Sequence, residues 1–304
     1  MNKLSSKVLI TGGSGQVGFE LRRQLCLMGE IMAPARGELD LTDARAVNAY
    51  LERHRPDLII NAAAYTAVDK AESEHETAQR LNAALPAQLA NYCTQHGAGL
   101  VHYSSDYVYS GQGDAGWQEA ATPDPQNTYG RTKLEGDNAI IQSGCEHHIF
   151  RTSWVVSGRG GNFVHTMLRL GRERDALNIV ADQIGAPTPA RLIAQITALA
   201  IAPQAERVAP RLAPGLYHLA PRGETSWYGI ARETFRLARE QGVELAITPQ
   251  RLTPITTAEY PTPAPRPLNS RLSLVKLEQG LGITLPDWHA QLALTVEEQL
   301  VNYR

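Results

Sequence analysis

The chain has 304 residues, 43% hydrophobic and 20% charged, and its 29 basic and 31 acidic side chains leave a net charge of −2. That composition excludes a disordered chain, which lacks the apolar content for a core. It also leaves no basic footprint for nucleic acid or an anionic membrane surface, and no apolar run approaches the ~18 residues that cross a bilayer.

In chain order, Lys7-Val-Leu-Ile10 is an apolar, β-rich run that leaves no room for a targeting segment, so a cytoplasmic protein is expected. It leads into Thr11-Gly-Gly-Ser-Gly-Gln-Val-Gly18, after which apolar residues recur at helical intervals. A strand, a glycine turn and a helix N-terminus offer free N–H groups and a positive dipole end to a pyrophosphate. Gly12, Gly15 and Gly18 let the backbone turn, approach the phosphates and pack helix on strand, which predicts a dinucleotide site.

Further along, a strand is expected over 30–35, irregular at Pro34, then a helix over 43–53 and an apolar strand over 56–64. A long helix over 74–96 is closed by Gly97 and Gly99. Strands over 99–104 and 148–154 flank a helix carrying Tyr129. The alternation predicts an α/β fold, a Rossmann-like doubly wound parallel sheet whose ligands sit at the carboxyl ends of its strands. Ala64, Ser105 and Trp154 then share a rim with the glycine turn.

Residues 1–155 are expected to form this dinucleotide-binding domain and 156–304 mainly a smaller substrate-binding lobe, with about 190–222 rejoining the cofactor sheet. The pattern there gives a helix over 191–202, a strand over 215–220 and a helix over 226–241 capped by Ser226. Prolines 254, 261, 263, 265 and 267 suit either a lid over a ligand or a plain surface connection. Cys26, Cys93 and Cys145 are too scattered for a disulfide framework or a metal cluster, and all three are expected as buried, reduced thiols. His147, His148 and His165 show no metal-ligand spacing.

The chemistry points to Asn127-Thr-Tyr-Gly-Arg-Thr-Lys-Leu-Glu135, where Tyr129 and Lys133 fall one helical turn apart on one face. A phenol ionises near pH ~10, and lowering that by about three units takes roughly 4 kcal/mol of differential stabilisation. An ammonium group on the next turn acts in that direction, with the Ser105 hydroxyl and an oxidised nicotinamide ring as further contributors. The spacing proposes a proton donor tuned for carbonyl reduction.

These segments resemble the extended short-chain dehydrogenases/reductases, and within them the dTDP-4-dehydrorhamnose reductase family. The resemblance runs nearly end to end, through Gly15-Gln-Val-Gly18, Val101-His-Tyr-Ser-Ser-Asp-Tyr-Val108, Tyr129-Gly-Arg-Thr-Lys133, Phe150-Arg-Thr-Ser-Trp154 and Asp182-Gln-Ile-Gly-Ala-Pro-Thr188. More particular to this family are Val68-Asp-Lys-Ala-Glu72 and Arg266-Pro-Leu-Asn-Ser-Arg-Leu272. The resemblance implies reduction of the C4 ketone of dTDP-4-dehydro-L-rhamnose to dTDP-L-rhamnose. It implies Tyr129 as proton donor, Lys133 on the nicotinamide ribose and Ser105 on the ketone, where the family usually has threonine. Ser105, Asp106 and Trp154 would touch the sugar nucleotide. Gln16, Val17, Asp40, Leu41, Ala64, Tyr65, Thr66 and Tyr103 match cofactor-lining positions, while Tyr107 and Tyr109 stay open between stacking on substrate and ordinary packing.

An acid at the end of the second strand would favour NAD. This chain has Ala35-Arg36 there, and a guanidinium holds a 2′-phosphate, so NADPH is expected, with NADH possible. An epimerase or a 4,6-dehydratase is the nearest alternative. Dehydratases carry Thr-Asp-Glu where this chain has Ser105-Asp106-Tyr107, which removes the acid/base pair for elimination. A non-catalytic subunit like the regulatory subunit of methionine adenosyltransferase is disfavoured by the intact Ser105, Tyr129 and Lys133. Some family members dimerise through a glutamate-bound magnesium. Glu20 matches one such position but Arg191 stands where another carboxylate belongs, so no metal is expected, in a monomer or homodimer.

Overall fold

The computed structural model describes residues 6–202 and 212–301; residues 203–211, within the stretch expected to rejoin the sheet, lie outside them. The first half alternates strand and helix: β1 (Lys7–Thr11), α1 (Gln16–Gln24), β2 (Glu30–Met32), α2 (Ala44–His54), β3 (Leu58–Asn61) and α3 (Val68–Ala71). Next come α4 (His75–Gln79), α5 (Leu85–His96), β4 (Gly99–Ser105), α6 (Thr128–Ser143) and β5 (His147–Thr152). The second half has β6 (Val155–Val156), α7 (Phe163–Glu173), β7 (Leu177–Val180), β8 (Ile184–Gly185), β9 (Thr188–Pro189) and α8 (Ala190–Ile201). It ends with β10 (Gly215–His218), β11 (Thr225–Ser226), α9 (Trp227–Glu240), β12 (Leu252–Ile255), α10 (Val275–Leu281) and α11 (Trp288–Val301).

Six strands form one parallel sheet in the order β10-β5-β4-β3-β1-β2. Strand alternation splits its core in two. Val8, Ile10, Val101 and Phe150 point to the face covered by α1 and α8, joined by Leu277 and Leu281 of α10. Leu9, Ile59, Leu100 and Ile149 point to the face covered by α2, α5 and α6. Away from the sheet, α7, α9 and α11 pack together around separate cores, and among the described residues there are three two-stranded pairs, β6–β9, β7–β12 and β8–β11.

The expected elements are found, with β2 and β3 shorter than expected. β2 stops at Met32 ahead of Pro34, which has no N–H for a ladder. β3 stops at Asn61, whose side chain is hydrogen-bonded to Thr11 and His102. The helix expected over 74–96 holds a turn of π-helix over Arg80–Ala84. Pro86 has no N–H to offer the Asn82 carbonyl. Gly136 of α6 packs on that oxygen, where a Cβ would lie 2.2 Å away. One expectation fails: Cys26 is exposed, in the turn just past α1, while Cys93 and Cys145 are buried thiols. No described helix is long and apolar enough to cross a membrane.

Candidate active site

A cleft of about 1010 Å³ opens at the carboxyl edge of the sheet. Its first wall is the glycine turn. Gly12 has φ +67°, and a Cβ there would lie 2.8 Å from the Ala62 backbone. At Gly18 a Cβ would lie 2.1 Å from the Gly12 carbonyl oxygen. Gly15 caps α1 without a side chain, so the first-turn N–H groups stay open to a ligand. These features fit a dinucleotide pyrophosphate. Of the expected cofactor-side residues, Gly12, Gly15, Gln16, Val17, Arg36, Asp40, Leu41, Ala64, Tyr65, Thr66 and Tyr103 line this cleft. Gly18 sits behind it as a packing residue.

The nearby acids are occupied by the backbone. Glu38 accepts from the Ala35 N–H at 2.7 Å, and Asp40 accepts from the Thr42 N–H and hydroxyl, which hold its pKa below the ordinary value. Arg36 lines the cleft beside them. The π-turn supplies a residue that the sequence pattern did not single out: buried Asn82 accepts from the Tyr65 N–H at 2.8 Å and donates to the Tyr65 carbonyl at 3.1 Å. This fixes the loop after β3.

The reacting groups face that wall from α6 and the end of β4. Two side chains cap α6: Asn127 accepts from the Gly130 N–H at 2.8 Å, and Glu72 from the Thr128 N–H at 2.7 Å. Tyr129, Ser105 and Lys133 are brought together in the cleft. Burial pushes the Tyr129 phenol up to about 12; a hydrogen bond with Ser105 opposes this, and the charges of Asp106 and Asp137 add to it.

The expectation that Lys133 itself lowers the phenol is corrected here. Its Nζ donates to the Tyr103 carbonyl at 2.6 Å and sits 3.2 Å from His102 Nε2, turned toward the strand beneath. Burial brings the Lys133 ammonium down to about 8, with Asp137 opposing. Sequence reading missed this buried polar floor. Asn61 reaches His102 at 3.0 Å, and Asp137 accepts from Ser104 at 2.9 Å and pairs with Arg151 at 3.0 Å. Only the helical stripe Tyr129, Lys133, Asp137 hints at it in the sequence.

The opposite wall carries Asp106 and Trp154. Asp106 is 2% exposed; its Oδ1 accepts from the Ser105 hydroxyl at 3.1 Å, and its Oδ2 has no hydrogen-bond partner. Burial pushes that carboxyl up to about 6. Trp154 adopts φ +48°, a strained conformation for a side chain of its size. It is held by stacking on Trp227 at 4.1 Å, whose indole N–H donates to Gln183 at 3.0 Å. Trp227 lines the cleft and was not singled out in the sequence.

Tyr107 lines the cleft, edge-on to Tyr129 at 5.4 Å. Tyr109 is a packing residue, stacked on Trp117 at 4.8 Å and bonded to Arg151 and His218. The proline-rich segment is held in place. Arg266 pairs with Asp69 at 2.7 Å, the Ala264 N–H reaches Asp69 at 3.2 Å, and the Pro265 carbonyl accepts from Asn127 at 2.8 Å. Away from the cleft, Arg191 pairs with Glu298 at 2.6 Å and Glu20 with Arg23 at 3.3 Å.

A parallel sheet opening on a glycine turn, with tyrosine, lysine and serine converging opposite it, is the arrangement of the extended short-chain dehydrogenase/reductase class. The comparisons narrow that class. The model of the RmlD substrate binding domain family matches residues 6–301. A dTDP-4-dehydrorhamnose reductase of Salmonella typhimurium is 46% identical over 92% of this chain and 94% of its own length. A crystal structure of a dTDP-4-dehydrorhamnose reductase from Clostridium acetobutylicum is 36% identical, with a TM-score of 0.87 over 97% of this chain and 99% of that one. A Bacillus anthracis dTDP-4-dehydrorhamnose reductase solved in complex with NADP is 31% identical, with a TM-score of 0.85 over 98% of this chain and 100% of that one. The chain belongs to the dTDP-4-dehydrorhamnose reductase family.

Proposed function

We propose that this chain reduces the C4 ketone of dTDP-4-dehydro-L-rhamnose to dTDP-L-rhamnose with NADPH, the last step in making that sugar donor. The observation that carries the reading is the convergence of Tyr129 and Ser105 with the buried carboxylate of Asp106 in the cleft that begins at the glycine turn. When bound, the reduced nicotinamide supplies the hydride. With substrate bound, the Ser105 hydroxyl turns from Asp106 and donates its hydrogen bond to the ketone oxygen, orienting it. Tyr129 gives its proton to the same oxygen as negative charge develops there. A phenol held at about 12 by burial stays protonated at neutral pH, the state a proton donor needs.

Lys133 holds the nicotinamide ribose, and the positive charges around the bound cofactor favour the phenolate left after transfer. The Asp106 carboxylate accepts from sugar hydroxyls, and Trp154 covers the sugar. Arg36 takes the 2′-phosphate, since Glu38 and Asp40 are engaged with backbone and with Thr42. The NADP complex of the Bacillus anthracis relative supports that preference, with NADH as the weaker donor. The protein would work in the cytoplasm as a monomer or homodimer.

The test supplies dTDP-4-dehydro-L-rhamnose to the purified protein and follows loss of NADPH and NADH absorbance separately. Stoichiometric oxidation with formation of dTDP-L-rhamnose is expected, faster with NADPH. An epimer of the ketosugar formed without net oxidation of cofactor would identify an epimerase and remove this reading.

A further inference from the structure

We propose that Arg159 is the cation that receives the diphosphate of the bound dinucleotide, closing the second lobe onto the glycine turn. This rests on the dinucleotide site described above and extends it to a residue outside the glycine motif.

Among the described residues, three cationic side chains line the cleft: Arg36, Lys133 and Arg159. Arg36 lies at the adenosine end beside Asp40, and Lys133 at the nicotinamide end beneath Tyr103. Arg159 stands between them, its guanidinium 4.1 Å from the ring of Phe19 in the first turns of α1. A dinucleotide carries its two diphosphate charges at that middle position. The N-terminus of α1 answers them with only about half a unit of charge. A guanidinium supplies a full charge and a planar fork matched to phosphate oxygens. Among the described residues Arg159 has no carboxylate within ion-pair distance, so its donors are free for a ligand, whereas Arg23, over the same ring at 5.7 Å, is paired with Glu20.

The loop that presents Arg159 is held at both ends. Ser157 accepts the Arg159 N–H on its hydroxyl at 3.2 Å, and its carbonyl accepts from buried Gln299 of α11 at 2.8 Å. At the other end, Asn162 donates to Gln16 at 3.1 Å and to the Ser157 carbonyl at 2.8 Å. Asn162 thus ties a loop of the second lobe to the first residue of α1, with Arg159 between the anchors. The arrangement is a preorganised clamp on an anion.

The experiment titrates NADPH, NADH and dTDP separately into wild type, Arg159→Ala and Arg159→Lys at fixed ionic strength, with thermal unfolding of the free proteins as a folding control. Arg159→Ala is expected to weaken NADPH and NADH alike, by roughly 10-fold, as for loss of one charge-assisted contact. Lysine should recover part of the loss, and the affinity for dTDP should not change. Weakening of NADPH alone would assign the residue to the 2′-phosphate. Weakening of dTDP, alone or with the cofactors, would assign it to the nucleotide sugar. Either result, or unchanged cofactor affinity, overturns the proposal. Wild-type protein that binds neither NADPH nor NADH would instead remove the dinucleotide site itself, and this clamp with it.

Discussion

The two walls of the cleft are built in opposite ways. The cofactor wall starts from one contiguous run, Gly12 to Gly18, in which Gly18 packs on the Gly12 carbonyl six residues away and Gly12 packs on the Ala62 backbone. The substrate wall is assembled from distant parts: Trp154 rests on Trp227, and beside the cleft-lining Val68, Asp69 anchors Arg266 across 197 positions of sequence. A local motif fixes its own geometry and tolerates little change. A wall made of distant pairs depends on the whole fold, and each of its pairs can be weakened alone. Mutations should therefore separate the walls by what they damage.

The largest effect is expected where the walls meet. Tyr129→Phe removes the proton donor and leaves the glycine wall intact, so turnover should fall by ~10³-fold or more while the affinity for NADPH stays within experimental error. A variant with near-normal kcat removes the phenol from the chemistry. Gly18→Ala attacks the other wall. Its methyl would stand 2.1 Å from a backbone oxygen that cannot give way as a side chain can. The strain of such overpacking, ~1–3 kcal/mol, should appear as lower thermal stability together with weaker binding of both cofactors. Gly15→Ala, whose nearest contact is 3.2 Å, should be milder in both measurements. Equal effects at 15 and 18 would show that close packing is not what the motif provides.

This contrast also explains what could be read in advance. The strand–turn–helix opening, the α6 pair Tyr129 and Lys133, and the parallel sheet follow from local pattern, and the structure has them. The π-turn and the role of Asn82 follow from Pro86 meeting α6, a packing event that no local periodicity reports. Lys133 was legible as a site residue but its direction was not, because its partners, the Tyr103 carbonyl and His102, lie on another element. The segments 68–72 and 266–272 could be recognised as particular to the family. That they touch each other could not, since nothing in either one encodes the other's place.

A smaller and pH-dependent effect should sharpen the account of the substrate wall. Burial raises Asp106 to about 6, above the ordinary value of about 3.9 for the unfolded chain. A raised carboxyl contributes stability that is fully present below the unfolded value, about pH 4, and is lost as pH rises through about 6. At neutral pH the charged form is therefore a cost, on the order of 3 kcal/mol at most for a two-unit shift. Asp106→Asn keeps the neutral shape. It should be more stable than wild type at pH ~8 by up to that amount, with the gap closing by pH ~4 in denaturant titrations. A gap that does not change with pH would mean that Asp106 is not held in a desolvated site. Substrate affinity should fall in the same variant, because an amide accepts fewer hydrogen bonds from the sugar.

The smallest effect tests the longest-range contact. Asp69 is about two-fifths exposed, at 40%, so its pair with Arg266 is screened and should contribute only about 1 kcal/mol. The Ala264 N–H at 3.2 Å adds a second bond to the same carboxylate. Asp69→Asn keeps an acceptor for Ala264 while discharging the pair, so the segment should loosen without leaving. The expected result is a rise in KM for the sugar nucleotide of about 5-fold, diminishing at high salt, with kcat and the Kd of NADPH unchanged. Arg266→Lys should behave similarly, since a lysine keeps the charge but not the planar fork. If either substitution instead lowered kcat as strongly as it raised KM, the strap would reach the reacting groups through Asn127, which bonds the Pro265 carbonyl and caps the helix of Tyr129. The two walls would then be one mechanical unit, and the separation argued above would fail at that residue.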